Sequence, residues 1–237
     1  MIFVANWKMQ LGVGKSERLA RALVRSIKAS PRHGRAVVIC PSFPVLDRVS
    51  NVLRGTNISL GAQDVFWEKS GAFTGEVSPT ELKELGCRFV IVGHSERRHY
   101  LGETDAMIGK KVHAAIAAGL TPILCVGEPA SVRRARRQAS YVTHELKAAL
   151  RGMRRSRVIV AYEPRWAIGT GKADSPNEVA EMVRVIHETV GRLPVLYGGS
   201  VTEKNASTFL RIPGIQGALV GGASLDAMAF SRLIQLS

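Results

Sequence analysis

Glu163 closes an apolar run, residues 158–163, and is followed by Pro164 and a stretch that passes through Gly169 and Gly171 to Lys172. A β-branched run of this kind reads as a core strand, so the carboxylate sits at a strand's carboxyl edge, where α/β folds place their chemistry. Pro164 stiffens the exit, and the two glycines let backbone N–H groups come close to an anion. The pattern suits a general base followed by an anion-binding loop. On its own, E-P-x-W is as readily a surface glutamate before a turn, so its meaning depends on the other strand ends.

Asn6 and Lys8 lie two residues apart at the end of another run, 2–7, and so share one side of an extended chain. They offer an amide and a fixed positive charge. His94 follows Gly93 at a third strand end, with Ser95 placed to cap the turn that begins there. An imidazole at a helix amino terminus is disfavoured as the cation, because the N–H groups and the helix dipole stabilise negative charge. The neutral ring still donates a hydrogen bond to a carbonyl oxygen. Glu96 and Arg97 read as a buried ion pair supporting this end, and Glu96 beside Lys8 is also a candidate for proton handling. Tyr197-Gly198-Gly199-Ser200 and Val220-Gly221-Gly222-Ala223-Ser224 each place paired glycines before a helical stretch. Glycines and helix amino termini make phosphate cradles, so a small phosphorylated substrate fits.

These residues need a frame that brings distant strand ends together. Eight short apolar runs recur along the chain, at 2–7, 36–40, 58–63, 89–93, 122–126, 158–163, 195–198 and 217–220. Several are continuous in Val, Ile and Leu, as parallel strands covered on both faces must be. Amphipathic stretches at 16–29, 106–118, 132–150 and 177–190 are long enough for crossover helices. The alternation suggests a single α/β domain over residues 1–237, a (β/α)8 barrel, with a doubly wound open sheet as the structural alternative. Residues 64–80 form the longest non-periodic stretch and carry Phe66, Trp67 and Phe73. Either a partner subunit covers those rings or the loop folds back onto its own barrel.

With 237 residues, 46% of them hydrophobic, the chain can bury a sizeable core. It has no apolar run of membrane-spanning length and no signal-peptide pattern, so a soluble cytoplasmic protein is expected. Cys40, Cys87 and Cys125 stand in or beside apolar segments, as reduced buried thiols do, and suggest no metal site. The net charge of +14 allows nucleic acid, an acidic membrane or an anionic metabolite as partner. Its densest groups, Arg133, Arg134, Arg136 and Arg137, then Arg151, Arg154, Arg155 and Arg157, flank one expected helix with almost no aromatic residues for base stacking. They read as a solvated outer face, and neither nucleic acid nor membrane is expected as a partner.

N-W-K at 6–8, G-A-F-T-G-E at 71–76, G-H-S-E-R-R at 93–98, P-I-L-C-V-G-E at 122–128, Y-E-P at 162–164, W-A-I-G-T-G-K at 166–172, Y-G-G-S at 197–200 and V-G-G-A-S-L at 220–225 together resemble the triosephosphate isomerase family. The likeness runs in order over nearly the whole chain. It implies interconversion of dihydroxyacetone phosphate and D-glyceraldehyde 3-phosphate through an enediolate, without a cofactor or metal. Glu163 is then the base, His94 the electrophile, Lys8 and Asn6 the stabilisers of developing charge, and Gly169, Ser200, Gly221 and Gly222 the phosphate holders, with Glu96 in support. The loop 164–173 becomes a lid, and residues 64–80 an interlocking homodimer loop that sends Thr74 toward Asn6 and His94 of the partner subunit; a tetramer is the other assembly considered. The chain departs from the family at Arg165, where the hinge most often carries Val, at 173–175 in the opposite hinge, at Ala5 and Gln10, and in a shortened segment around 130–140. None of these removes a catalytic residue. The rival reading is a basic nucleic-acid-binding or interaction protein on an inactive barrel.

Overall fold

Alternation along the strands sorts the side chains into two separate cores. In this computed structural model, which describes residues 1–29, 34–153, 157–167 and 174–236, the strands are β1 (Ile2–Asn6), β2 (Ala36–Cys40), β3 (Ile58–Ala62), β4 (Cys87–Val92), β5 (Thr121–Val126), β6 (Ile159–Tyr162), β7 (Val195–Tyr197) and β8 (Ile215–Val220). All neighbours are parallel, and the order closes on itself because β1 pairs with both β2 and β8, from Ile2 beside Gly217 to Ala5 beside Val220. Closure excludes the open sheet. Val4, Val38, Cys40, Ile91, Ile123, Cys125, Ile159, Ala161, Leu196 and Leu219 form one buried cluster made only of strand residues, which is the barrel's lumen. Their neighbours along the strands, such as Phe3, Ala5, Val37, Ile39, Val90 and Val92, join helix residues in the other cluster.

The helices are α1 (Val13–Ala29), α2 (Leu46–Leu53), α3 (Pro79–Glu84), α4 (Ser95–Tyr100), α5 (Asp105–Ala117), α6 (Ala130–Arg134), α7 (Gln138–Ala149), α8 (Pro176–Val190), α9 (Ala206–Leu210) and α10 (Ala227–Gln235). Their apolar stripes supply Leu23, Val49, Ile108, Val112, Val142, Leu146, Val179, Val183, Phe230 and Leu233 to the outer core. Local chemistry starts several of them. Ser78 caps α3 in a capping box with Glu81 ahead of Pro79, and Ser175 caps α8 by accepting the Glu178 N–H at 3.2 Å ahead of Pro176. Among the described residues no helix is long and apolar enough to cross a membrane, and no cluster of His, Cys, Asp and Glu is arranged to hold a metal ion.

The single helix expected over 132–150 is two. Helix α6 ends in a Schellman turn, with Arg136 N–H donating to Arg133 O at 2.9 Å and Arg137 N–H to Val132 O at 3.1 Å. Arg136 takes the left-handed conformation, φ 53°, that glycine usually fills, so no local signal marks the break. The three cysteines are buried and unpaired, and burial pushes each thiol upward from its ordinary range.

Candidate active site

A cavity of about 260 Å³ opens at the carboxyl ends of the strands, lined by Asn6, Lys8, His94 and Glu163 and by residues 198–202, Leu219 and 221–223. The chain brings together, from β1, β4, β6, β7 and β8, the groups its sequence singled out. Lys8 stands just past β1 in the left-handed region, φ 52°, which is uncommon for a residue with a side chain. Its N–H donates to Asn6 Oδ1 at 3.1 Å, while the Gln63 amide donates to Lys8 O at 3.0 Å and to Cys40 O at 2.9 Å. Those bonds hold the turn and leave the Asn6 NH2 as a donor. The Lys8 ammonium lies 2.5 Å from Glu96 Oε1.

His94 is the N-cap of α4, and its Nδ1 accepts the Glu96 N–H at 3.2 Å. A nitrogen that accepts carries no proton, so the neutral ring bears its hydrogen on Nε2. That Nε2 lies 3.3 Å from Glu163 Oε1. The other oxygen, Oε2, accepts the Ser95 N–H at 3.1 Å, so a backbone donor at the start of α4 holds the carboxylate beside the ring. Glu163 is 2% exposed. The Cys125 thiol lies against it from the lumen and is raised first by burial and then by the Glu163 charge. Gly198 leaves room for the carboxylate, since a β-carbon there would come within 2.8 Å of Glu163 Cγ.

The glycine loops differ from each other. Gly221 and Gly222 lead directly into a 3-10 turn, Gly222–Leu225, where Ser224 N–H donates to Gly221 O at 2.9 Å. Gly198 and Gly199, however, are followed by loop, and α9 begins only at Ala206. Ser200 is held instead by Asn205, whose amide donates to Ser200 O at 2.8 Å and accepts the Thr202 N–H at 2.8 Å. Val201 and Thr202 also line the cavity, which the sequence reading did not include.

Several expectations change. His94, not Ser95, caps α4. Glu96 and Arg97 do not pair, because adjacent helical residues point apart. Glu96 faces Lys8, while Arg97 holds Asp64 at 2.9 Å and Glu103 at 2.5 Å, next to buried Lys111. Arg133 is no solvated surface charge: it reaches Glu128, Asp174 and Glu178 at 3.3, 3.0 and 2.7 Å, with its guanidinium 5.6 Å from the Trp166 ring centre. Arg134, Arg136, Arg137, Arg151 and Arg157 are exposed as expected. Phe66 is buried, its ring 4.1 Å from that of Trp67 and 4.8 Å from that of Phe73, so the first part of 64–80 folds back on its own chain. Residues 68–76 are exposed, including Thr74, which does not line the cavity of its own chain.

The amino-terminal end of the loop after Glu163 is anchored. Trp166 Nε1–H donates to Glu128 Oε1 at 3.2 Å, and Arg165 pairs with buried Glu145. At the far end Asp174 N–H donates to the Tyr197 hydroxyl at 3.3 Å. Gly169, Gly171, Lys172 and Ala173 lie outside the described residues, as do Arg154 and Arg155.

A family model described as triosephosphate isomerase matches residues 1–237. Triosephosphate isomerases of Thermoanaerobacter pseudethanolicus and of a Roseiflexus species are 42% and 45% identical to the chain; each alignment covers 98% of it, and 98% and 96% of those relatives. The crystal structure of triosephosphate isomerase from Bartonella henselae superposes with a TM-score of 0.90 at 35% identity, over 99% of this chain and 98% of that one. Eight parallel strands, the cavity at their carboxyl ends and similarity along the full sequence agree: the chain belongs to the triosephosphate isomerase family.

Proposed function

We propose that this cavity interconverts dihydroxyacetone phosphate and D-glyceraldehyde 3-phosphate, with Glu163 as the base and His94 as the proton donor on oxygen. The observation that supports it most is the facing pair: Glu163 Oε1 and the proton-bearing His94 Nε2 lie 3.3 Å apart at the wall of a cavity that the two glycine loops also line. A triose bound with its phosphate at Ser200, Gly221 and Gly222 displaces the carboxylate from the ring, so that its carbonyl oxygen meets His94 Nε2 and its adjacent carbon meets Glu163. Glu163 takes the carbon-bound proton after leaving the Ser95 N–H, and His94 hydrogen-bonds the oxygen on which negative charge develops. Lys8 and Asn6 add positive charge and a donor on the same side, with Glu96 holding the ammonium in place. His94 passes the hydroxyl proton from one oxygen to the other while Glu163 returns its proton to the neighbouring carbon, which completes the isomerisation with no further acid or base. Gly169 joins the phosphate holders by family resemblance.

Exposed residues 68–76 are free to reach a second copy, and a homodimer in which Thr74 approaches the partner's cavity follows from the same resemblance. The decisive experiment is a coupled assay with dihydroxyacetone phosphate on the purified protein and on Glu163→Gln. The parent should turn over, and the variant should lose roughly 10³-fold in kcat, the scale of a positioned base. Equal rates in the two proteins would exclude Glu163 as the base.

A further inference from the structure

Three backbone segments surround Glu163: 93–98, 126–128 and 163–165. Outside the cavity they converge on one side chain, Glu145 of α7, which is 2% exposed. Its Oε2 accepts the Gly127 N–H at 2.9 Å. Its Oε1 takes the Arg165 guanidinium and lies 3.2 Å from Arg98 Nη1. Arg98 in turn donates from Nε to Gly93 O at 3.0 Å and from Nη1 to Asp105 at 2.5 Å. The other two segments are also joined directly, with Glu163 N–H donating to Val126 O at 2.7 Å and Arg165 N–H to Glu128 O at 3.1 Å. They run so close that a β-carbon on Gly127 would fall 1.8 Å from Glu163 O.

We propose that Glu145 is a positioning residue for the base, fixing Glu163 against His94 from outside the cavity, and that Arg165 completes its ion pairing. The inference rests on reading Glu163 as the base. A carboxylate taken out of water requires opposite charge and hydrogen bonds around it. Burial pushes Glu145 upward from its ordinary range, and Arg98 and Arg165 oppose that shift. Removing Arg165 leaves Arg98 to serve Glu145 and Asp105 together. Glutamine at position 145 keeps the shape and an acceptor for Gly127 but loses both ion pairs, so the 163–165 segment keeps its backbone bonds to 126–128 and the Arg165–Tyr141 contact but loses its charged tie to α7. The loops at 198–202 and 221–223 take no part in these contacts, so the phosphate holders Ser200, Gly221 and Gly222 keep their places while alignment of the base is degraded.

Steady-state kinetics on Glu145→Gln, Arg165→Leu and Arg165→Lys test this, with inorganic phosphate as an inhibitor that reports the phosphate site. A misplacement near 1 Å costs up to ~10²-fold in rate, so kcat should fall roughly 10- to 100-fold in Glu145→Gln and Arg165→Leu. KM and the inhibition constant for phosphate should stay within about twofold, and Arg165→Lys should recover part of kcat. The double variant Glu145→Gln/Arg165→Leu should lose no more than its worse parent, because both act through one pair. A parent-like kcat in a folded Arg165→Leu overturns the proposal, and so does a rise in KM matching the fall in kcat. Arg165 is partly exposed, so its variants carry the test if Glu145→Gln does not fold. Glu163→Gln separates the two readings: an inactive Glu163→Gln beside fully active position-145 and position-165 variants sinks the positioning role alone, whereas an active Glu163→Gln sinks the base.

Discussion

Gly198→Ala offers the sharpest test of how closely the base is fitted. The backbone at Gly198 is not left-handed, so alanine is acceptable to the chain itself, and the only conflict is the new methyl. That carbon would stand 2.8 Å from Glu163 Cγ, 3.3 Å from Tyr162 O and 3.5 Å from Glu163 Oε1. Carbon atoms rest at about 3.5–4.0 Å, so the Glu163 side chain must retreat by roughly 0.7–1.2 Å. Tyr162 O cannot move away easily, because it accepts the Gly198 N–H at 2.8 Å. Overpacking of this kind costs about 1–3 kcal/mol of stability, which leaves an ordinary domain folded at 25 °C. The same displacement of a base costs up to ~10²-fold in kcat. Coupled turnover of dihydroxyacetone phosphate, measured beside a thermal melt, reads both effects. A folded Gly198→Ala protein with kcat within threefold of the parent would show that the carboxylate tolerates the methyl and that its tight seat is unimportant.

Thr74→Arg should weaken self-association and activity together, read by sedimentation and by specific activity across protein concentration; a fully active monomer would refute the link. Lys111→Met leaves Asp64 and Glu103 buried around Arg97 alone, and denaturant unfolding should report a loss of about 3–5 kcal/mol. Arg133→Met should cost about 3 kcal/mol at pH 8 and clearly less at pH 5. The sign follows from Asp174, which burial first, and hydrogen bonding with Glu178 second, push from 3.8 up to about 7 against the pull of Arg133. Its ionised form therefore opposes folding, by an amount that grows as pH rises through that window and grows further once Arg133 is gone. Equal losses at the two pH values would disprove that assignment.

The strands were legible because a buried parallel strand has little choice but to be apolar throughout. Where the reading began late, at β4 and β8, exposed Arg88 and Gln216 sit at the barrel's lower rim and break the run. The quartet of Asn6, Lys8, His94 and Glu163 was legible because each residue stands at the end of such a strand. The contacts that hold the quartet were not. Ser95 was read as a cap, and its actual service to Glu163 uses a backbone N–H, which no side-chain pattern reveals. Glu145 looks like one more polar residue of an amphipathic helix, since its partners Gly127, Arg98 and Arg165 come from three separate stretches of the chain. Arg136 hid the break between α6 and α7 because arginine rarely takes a left-handed turn.

Lys8 shows where stability and activity pull in opposite directions. Its left-handed backbone costs on the order of 1 kcal/mol that glycine would not incur. Folding alone would therefore prefer glycine at position 8, and the gain in stability would come with loss of the ammonium from the cavity wall. The strained turn persists because Gln63, beyond the end of β3 and outside the cavity, grips Lys8 O and Cys40 O together. Selection for thermal stability without selection for turnover would be expected to erode this corner first, at position 8 itself or at the glutamine that holds it.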